Sequence, residues 1–412
     1  MLNMLKIYLC GPTVYNTPHI GNLRPITTMD LVLKAHKFLG NDFTFIHNIT
    51  DIDDKIIDRA IELNTTERHI SETYTKEYLA LLDMLNINTI THIEKVTDNI
   101  DLIAEYIENL VKNKHAYVDE QGNVWFDILK NIDNYGEVSG QNIEKMIFED
   151  DFDSKKFKGD FALWKKTTKG VKFWSKFGMG RPGWHSECCA LIAKHFGSNG
   201  VDIHGGGMDL AFPHHENENI QHYASFGMSI TTKWYRNGQI NLDGVKMSKS
   251  LGNVVSVNDF FDKYGVEIYK LMLLTTKFTA SINLTNELML NLKTIETKYK
   301  KIIFKIYAKF GTNLKQNDNF KLRTIFSALA NYDFAKYNLM LNEEIKLFNK
   351  DQLEENALNI HTIINTIHPS LCELNLYHEI LEVYKKWRVF IEKKDYKNAD
   401  RLREQLIKSG LY

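Results

Sequence analysis

Three short segments of this 412-residue chain carry side chains from which a soft-metal site can be assembled. In His214-His215-Glu216-Asn217-Glu218, one turn of helix puts His214 and Glu218 on the same face, at i and i+4. Cys188 lies upstream in Gly183-Trp184-His185-Ser186-Glu187-Cys188-Cys189, and Cys10 ends an apolar stretch near the amino terminus. Two thiolates, an imidazole and a carboxylate form a zinc-type donor set. Spacing does not choose Cys188 over Cys189 or His214 over His215. Small buried cysteines beside a surface His/Glu pair would account for the same residues without a metal.

Two other segments suit phosphate. Lys246-Met247-Ser248-Lys249-Ser250 has Gly244 before it and Gly252 after, so two ammonium groups sit on a loop able to close on a polyphosphate. Pro18-His19-Ile20-Gly21-Asn22 falls at a predicted strand-to-helix turn, where backbone N–H groups and the helix dipole favour an anion. Gly21 lets a ligand approach the backbone closely. Alone, the first segment is an ordinary solvated turn and the second contains an ordinary surface histidine; together and in this order they are informative.

The elements that must hold these residues follow from apolar periodicity. Lys6 to Cys10 reads as a short buried strand, Ile20 to Leu39 as a helix stopped by Gly40, and Asp42 to Ile49 as a second strand. This is a right-handed βαβ unit opening a parallel nucleotide-binding sheet, with the site where the first strand ends. Ile56 to Leu110 reads as mostly helical, and Tyr117 to Lys176, with short strands and scattered aromatics, as an insertion between two halves of the sheet. Val201 to Ile203 and Lys233 to Asn241 are predicted as further strands, flanked by glycine-rich turns at Gly205-Gly206-Gly207 and Asp243-Gly244. Leu288 to Phe310, Gln352 to Ile367 and Tyr377 to Ser409 show helical spacing, which predicts a C-terminal bundle.

With 43% apolar and 25% charged residues, the chain has the profile of a soluble globular protein of two or three domains. Its 51 basic and 52 acidic side chains leave a net charge of −1, so any RNA-binding face must be local. Four cysteines are too few and too unevenly spaced for a disulfide frame and suit a reducing compartment. Met1 to Leu9 lacks the pattern of a signal peptide, and no apolar run approaches the roughly 20 residues that span a bilayer. A cytoplasmic location without membrane attachment is expected.

The segments around His19 and Lys249 resemble the HIGH and KMSKS motifs of class I aminoacyl-tRNA synthetases. Cys10 to Asn22, Asn48 to Lys55, Gly183 to Cys188 and His204 to Glu218 are together similar to cysteinyl-tRNA synthetases, and the likeness runs through nearly the whole chain. The resemblance implies ATP-dependent activation of L-cysteine to its adenylate and transfer to the 3′ end of tRNA(Cys). It gives His19 and Lys249 most of the charge stabilisation as the cysteine carboxylate attacks the α-phosphate, with Lys246 assisting. Asn22 stands where the motif has its second histidine; it can donate a hydrogen bond but cannot become cationic. Gly11, Gly21 and Asp209 join His19, Asn22 and Lys249 around ATP, with Mg²⁺ accompanying the nucleotide. The resemblance also implies that the zinc ligands are Cys10, Cys188, His214 and Glu218, one ion per chain, with the substrate thiolate completing the coordination. By the same resemblance, Thr50, Trp184 and His204 match positions that line the cysteine pocket. Serine is no larger than cysteine, so a borderline-soft cation that favours thiolate over alcohol supplies the selection that shape cannot. No editing domain is then needed, and none is expected in an insertion that carries Phe161-Ala162-Leu163-Trp164-Lys165.

On this reading the fold class is α/β, a Rossmann-like parallel-sheet catalytic domain split by an insertion and followed by a helical bundle. Residues 1–110 and 181–255 hold its two halves, the second with the KMSKS loop; 111–180 form the insertion, 256–295 a stem-contact region and 296–412 the bundle. Tyr384 to Arg388 and the cluster Lys393, Lys394, Lys397, Arg401 and Arg403 suit contact with tRNA backbone. The sequence stops at Gly410-Leu411-Tyr412, where most relatives continue into an anticodon-reading tail, so anticodon contact is expected from the bundle or replaced by reliance on the acceptor end. A monomer is the family expectation. The alternative is the cysteine ligase of mycothiol biosynthesis, which uses the same adenylate chemistry on an amino sugar. A non-catalytic RNA-binding paralogue or a zinc hydrolase explains fewer of the motif residues.

Overall fold

The expected first strand forms as β1 (Leu5–Leu9) in a computed structural model that describes residues 4–143, 146, 154–247 and 252–412. The chain divides into two compact units, Met1–Ile26 with Asp42–Gly238, and Thr27–Asn41 with Gln239–Tyr412. Helix α1 (Ile20–Leu39) begins in the first unit, and its residues from Thr27 onward belong to the second.

In the first unit, β1 pairs in parallel with β2 (Phe43–Ile49). Helices α2 (Asp54–Glu62) and α3 (Glu67–Met84) follow, started by Asp53 and Thr66, whose side chains accept from the backbone N–H groups of Lys55 and His69. The stretch read as helical is interrupted by β3 (His92–Lys95), which pairs in parallel with β2 before α4 (Ile100–Lys112) begins. Four residues are too few to establish an alternation, and the first two are exposed at the sheet edge. Strands β4 (Ala116–Val118), β5 (Val124–Phe126), β6 (Phe161–Lys166) and β7 (Gly180–Pro182) form a separate antiparallel sheet in that order, its last strand beyond the stretch from Tyr117 to Lys176.

Helix α5 (Trp184–Phe196), β8 (Ile203–Gly207), α6 (His214–Phe226) and β9 (Trp234–Asn237) complete the unit. The parallel sheet has the order β3-β2-β1-β8-β9. Tyr8 and Ile46 belong to one apolar cluster with Ile103 and Ile107 of α4, Leu191 and Ile192 of α5 and Ile220 of α6. Strand burial is continuous rather than alternating at Ile7, Tyr8 and Leu9, as in parallel sheets covered by helices.

The glycine-rich turn expected at Gly205-Gly206-Gly207 is instead the end of β8. A Cβ on Gly205 would stand 2.8 Å from Leu9 Cδ1 and 3.0 Å from the Tyr235 carbonyl oxygen, and one on Gly206 would stand 3.3 Å from His215 Nε2. These glycines are strand residues without side chains because other groups occupy that space. The strand expected over Lys233 to Asn241 likewise ends at Asn237, and its remainder starts another sheet.

In the second unit, β10 (Ile240–Leu242) and β11 (Val245–Lys246) form a hairpin whose central residues, Asp243 and Gly244, have φ of 46° and 83°, the left-handed pair that a two-residue turn demands. Helices α7 (Val257–Tyr264) and α8 (Val266–Leu274) lead to β12 (Ile282–Leu284), parallel to β10. Then come α9 (Asn286–Phe310), α10 (Phe320–Ala330), α11 (Phe334–Asp351), α12 (Glu354–Ile367), α13 (His378–Glu392) and α14 (Tyr396–Lys408). Left-handed Gln352 and Lys394, with φ of 48° and 58°, end α11 and divide the last predicted helical stretch into a hairpin. Ile303, Ile325, Phe326, Leu341, Ile360 and Ile364 are wholly buried among these helices, and Phe38 of α1 stacks on Phe326. Among the described residues no helix is long and apolar enough to cross a membrane.

Glu267 of α8 is buried in this unit and accepts from Lys270 Nζ at 3.0 Å and Ser370 Oγ at 2.7 Å, with His368 Nδ1 at 2.6 Å. Burial opposes its ionisation, but His368, Lys270 and Ser370 hold its pKa at about 2 against an ordinary 4.5. The folded value is the lower one, so this stabilisation is present above pH 4.5 and lost as pH falls toward 2. Glu267→Gln should destabilise the protein by about 3 kcal/mol at neutral pH, the scale of breaking a buried charged pair. Thermal melts at stepped pH should show the gap between wild type and variant closing below pH 4.5.

Candidate active site and metal centre

Cys10 leaves β1 with its backbone N–H bonded to the Gly205 carbonyl at 3.0 Å. Cys188 lies in the first turns of α5, and His214 and Glu218 stand one turn apart at the start of α6. The fold brings one donor atom from each of the four to within 4.8 Å of the others. Cys10 Sγ lies 3.9 Å from Cys188 Sγ and 3.7 Å from Glu218 Oε1, and His214 Nε2 lies 3.8 Å from Cys188 Sγ and 3.0 Å from Glu218 Oε1. Bonds of about 2.0–2.3 Å around a tetrahedral zinc give ligand–ligand edges of roughly 3.3–3.8 Å. The side chains therefore fit such an ion with shifts of a few tenths of an ångström, and all four cysteines are free thiols.

The electrostatics point the same way. Glu218 has no solvent exposure, and a bare carboxylate there would be costly. Burial opposes its charge, yet His214 and His204, the latter 2.9 Å from Oε2, hold its carboxyl well below the usual range. Glu218 and Cys188 in turn raise His214 to about 10 against the effect of burial. Burial and the neighbouring Cys188 push the Cys10 thiol up, whereas a hydrogen bond from Cys10 and the proximity of His214 lower Cys188 against burial. Anions and imidazoles are thus crowded around a point where a divalent cation would satisfy them together.

Cys10, His204, His215 and Glu218 form a second close grouping, with His215 Nε2 3.7 Å from Cys10 Sγ. Hydrogen bonds distinguish the two histidines. Arg236 Nε–H donates to His215 Nδ1 at 3.2 Å, and a guanidinium never accepts, so the proton of neutral His215 is on Nε2. An N–H cannot ligate. His214 Nδ1 instead lies 3.1 Å from Nδ1 of His185, which burial and His214 keep neutral. Donation from His214 Nδ1 leaves the Nε2 lone pair facing Cys188 and Glu218, the arrangement typical of a metal-bound imidazole.

The expected pocket residues surround this cluster. Thr50 Oγ1 donates to Glu187 Oε2 at 2.8 Å and accepts from Asn48 Nδ2 at 3.3 Å. Trp184, partly exposed at the start of α5, stacks on His214 with ring centres 4.1 Å apart. His204 stacks on Trp234, and its buried Nδ1 has no partner among the described residues. The sequence reading missed Glu187, His185 and Arg236, and left His215 as the alternative to His214. Glu187 and His185 lie inside the quoted segments, but nothing in their spacing shows that they face the site.

On the nucleotide side, a Cβ on Gly11 would overlap the Asn48 carbonyl oxygen, and Gly11 N–H donates to Asn48 Oδ1 at 2.8 Å. At the start of α1, Asn22 Oδ1 accepts from His19 N–H at 3.0 Å, and Gly21 N–H donates to His19 Nδ1 at 3.1 Å. His19 therefore carries its proton on Nε2 when neutral, while Asn22, exposed at the third position of the helix, reaches back to the N–H ahead of it. Asp209 is exposed on the turn after β8. Lys246 is exposed on β11 in the second unit, and Lys249 lies outside the described residues.

Residues 2–294 match the family described as the tRNA synthetases class I (C) catalytic domain. The chain is 44% identical over 404 residues to the cysteine–tRNA ligase of Mesomycoplasma hyopneumoniae (strain 232), covering 98% of this chain and 97% of that one. It is 37% identical to the cysteine–tRNA ligase of Malacoplasma penetrans over 99% of this chain and 95% of the relative. Among solved structures it is similar to Mycobacterium tuberculosis methionyl-tRNA synthetase bound by methionyl-adenylate, with TM-score 0.62 and 13% identity over 93% of this chain and 92% of that one. A leucyl-tRNA synthetase of Agrobacterium radiobacter, in a ternary complex, gives TM-score 0.64 at 9% identity over 90% and 84%. The parallel sheet, the paired phosphate motifs in the sequence and these likenesses agree: the chain belongs to the cysteine–tRNA ligase family of class I aminoacyl-tRNA synthetases.

Proposed function

We propose that this protein activates L-cysteine with ATP, selects the thiol on one zinc ion held by Cys10, Cys188, His214 and Glu218, and transfers the cysteinyl group to the 3′ end of tRNA(Cys). The observation that carries the reading is the buried meeting of two thiols, an imidazole and a carboxylate at the end of β1, just ahead of the turn that carries His19. When bound, zinc favours a thiolate over an alcohol. Trp184 walls the pocket over His214, and the Thr50–Glu187 pair and His204 Nδ1, without a partner among the described residues, supply polar groups beside it.

His19, with Nε2–H as its donor, and Asn22, through its NH₂, stabilise charge as the cysteine carboxylate oxygen attacks the α-phosphate and pyrophosphate departs. Lys249 and Lys246 supply the cations for the leaving pyrophosphate, and Mg²⁺ accompanies ATP. Gly11 and Gly21 admit the nucleotide to the backbone, and Asp209 joins its site.

For the RNA, α9 and α11 form a groove of about 500 Å³ lined by Lys293, Lys298, Lys301 and Lys305. Lys393, Lys394, Lys397, Arg401 and Arg403 are all exposed around α14. Both surfaces suit phosphate backbone. The relatives bear the name of tRNA ligases, which does not favour an amino-sugar acceptor. A cytoplasmic monomer acting without a membrane is the setting we infer.

Three measurements test this reading. Lys249→Ala should cut cysteine-dependent ATP–pyrophosphate exchange at least ~10²-fold, the scale of losing one stabilising donor; a near-normal rate removes Lys249 from the mechanism. Cys188→Ser should lose bound zinc by metal analysis and cysteine activation with it, and full activity without metal contradicts the zinc assignment. Reversing Lys301 and Lys305 to Glu should raise KM for tRNA about tenfold or more, with a shallower salt dependence and unchanged exchange.

A further inference from the structure

Around the four proposed ligands lies a second layer of contacts that neither ligation nor phosphate chemistry uses. Arg236 of β9 donates from Nε to His215 Nδ1 at 3.2 Å and from Nη1 to the Val138 carbonyl at 3.3 Å, with its guanidinium 4.9 Å above the Trp234 ring. Val138 is held from its other side, because Glu216 accepts the N–H groups of Gly136, Val138 and Ser139 at 2.8, 3.2 and 2.7 Å. Arg236 is thus fixed, and it fixes His215 as the Nε2–H tautomer. That N–H faces Cys10 Sγ across 3.7 Å, through space that a side chain on Gly206 would crowd.

The charge balance gives this layer a purpose. Two thiolates and a carboxylate already outweigh a divalent ion by one charge, and a substrate thiolate arrives as a fourth anion. An N–H donated to a ligand sulfur draws electron density from it and strengthens the pull of the ion on its remaining partner. Arg236, a cation behind His215, opposes the excess negative charge.

We propose that Arg236 and His215 form a donor pair for the metal-bound Cys10 thiolate, positioning residues that adapt the centre to accept the cysteine thiolate. This rests on the zinc reading above. The test uses the full chain loaded with cobalt(II), recording the thiolate-to-cobalt charge-transfer band and metal stoichiometry, together with exchange kinetics on the zinc-loaded chain. His215→Leu should retain one metal per chain, move the band to lower energy and raise KM for cysteine about 10- to 100-fold, with kcat changed less. His215→Gln places an amide N–H near the position of Nε2 and should restore the band. Arg236→Met, which releases His215 to take either tautomer, should give an intermediate band and provides the same test if His215→Leu does not fold. An unmoved band in the loaded variants, with KM as in wild type, overturns the pair. Loss of metal in His215→Gln with retention in His214→Gln makes His215 a ligand and also overturns it. A wild-type chain that takes up neither cobalt nor zinc overturns the zinc reading itself, an outcome distinct from an unmoved band on a loaded centre.

Discussion

The catalytic unit is organised around a carboxylate with no access to water. Glu218 is wholly buried, and an uncompensated anion in such a place costs several kcal/mol even after relaxation. Its oxygens are met by His214 and His204, and the Cys10 thiol lies within reach of the same carboxylate. The requirement to satisfy this one group joins the first turn of α6 to the ends of β1 and β8. It gathers two thiols, an imidazole and a carboxylate at the end of β1.

The first turn of α6 divides its side chains between two tasks. His214, His215 and Glu218 face the thiols, while Glu216 holds three backbone N–H groups of the 136–139 loop and Asn217 accepts from Tyr135 Oη. Five consecutive residues therefore fasten a stretch of the insertion to the cluster. Val138, Arg236 and His215 connect that loop with the neighbourhood of Cys10.

The thiol cluster and the turn that carries His19 follow the same strand for a topological reason. In a parallel sheet, the turn that leads from β1 into its crossover helix lies at the edge where the strand carboxyl ends gather. Cys10 closes the strand, Gly11 passes against Asn48, and His19 opens the helix. Asn48 also donates to Thr50, and Thr50 donates to Glu187, one residue before Cys188. Gly11, Asn48, Thr50 and Glu187 thus form one hydrogen-bonded frame.

Much of this was legible in the sequence because it depends on local order. The βαβ opening, the i, i+4 pair in α6, the Asp243-Gly244 hairpin turn and the long helices all follow from periodicity and turn chemistry within a few residues. The family follows from motifs whose order is itself linear. What the sequence could not decide depends on directions in space. Gly205 to Gly207 read as a turn because glycine permits one, but they are strand residues whose missing side chains leave room for Leu9, Tyr235 and His215. His214 and His215 are equivalent by spacing, and only Arg236, distant in sequence, distinguishes them by occupying one ring nitrogen. Composition and spacing specify which chemical groups the chain has available; packing decides which lone pair faces which proton, since that depends on where separate strands and helices bring their side chains together.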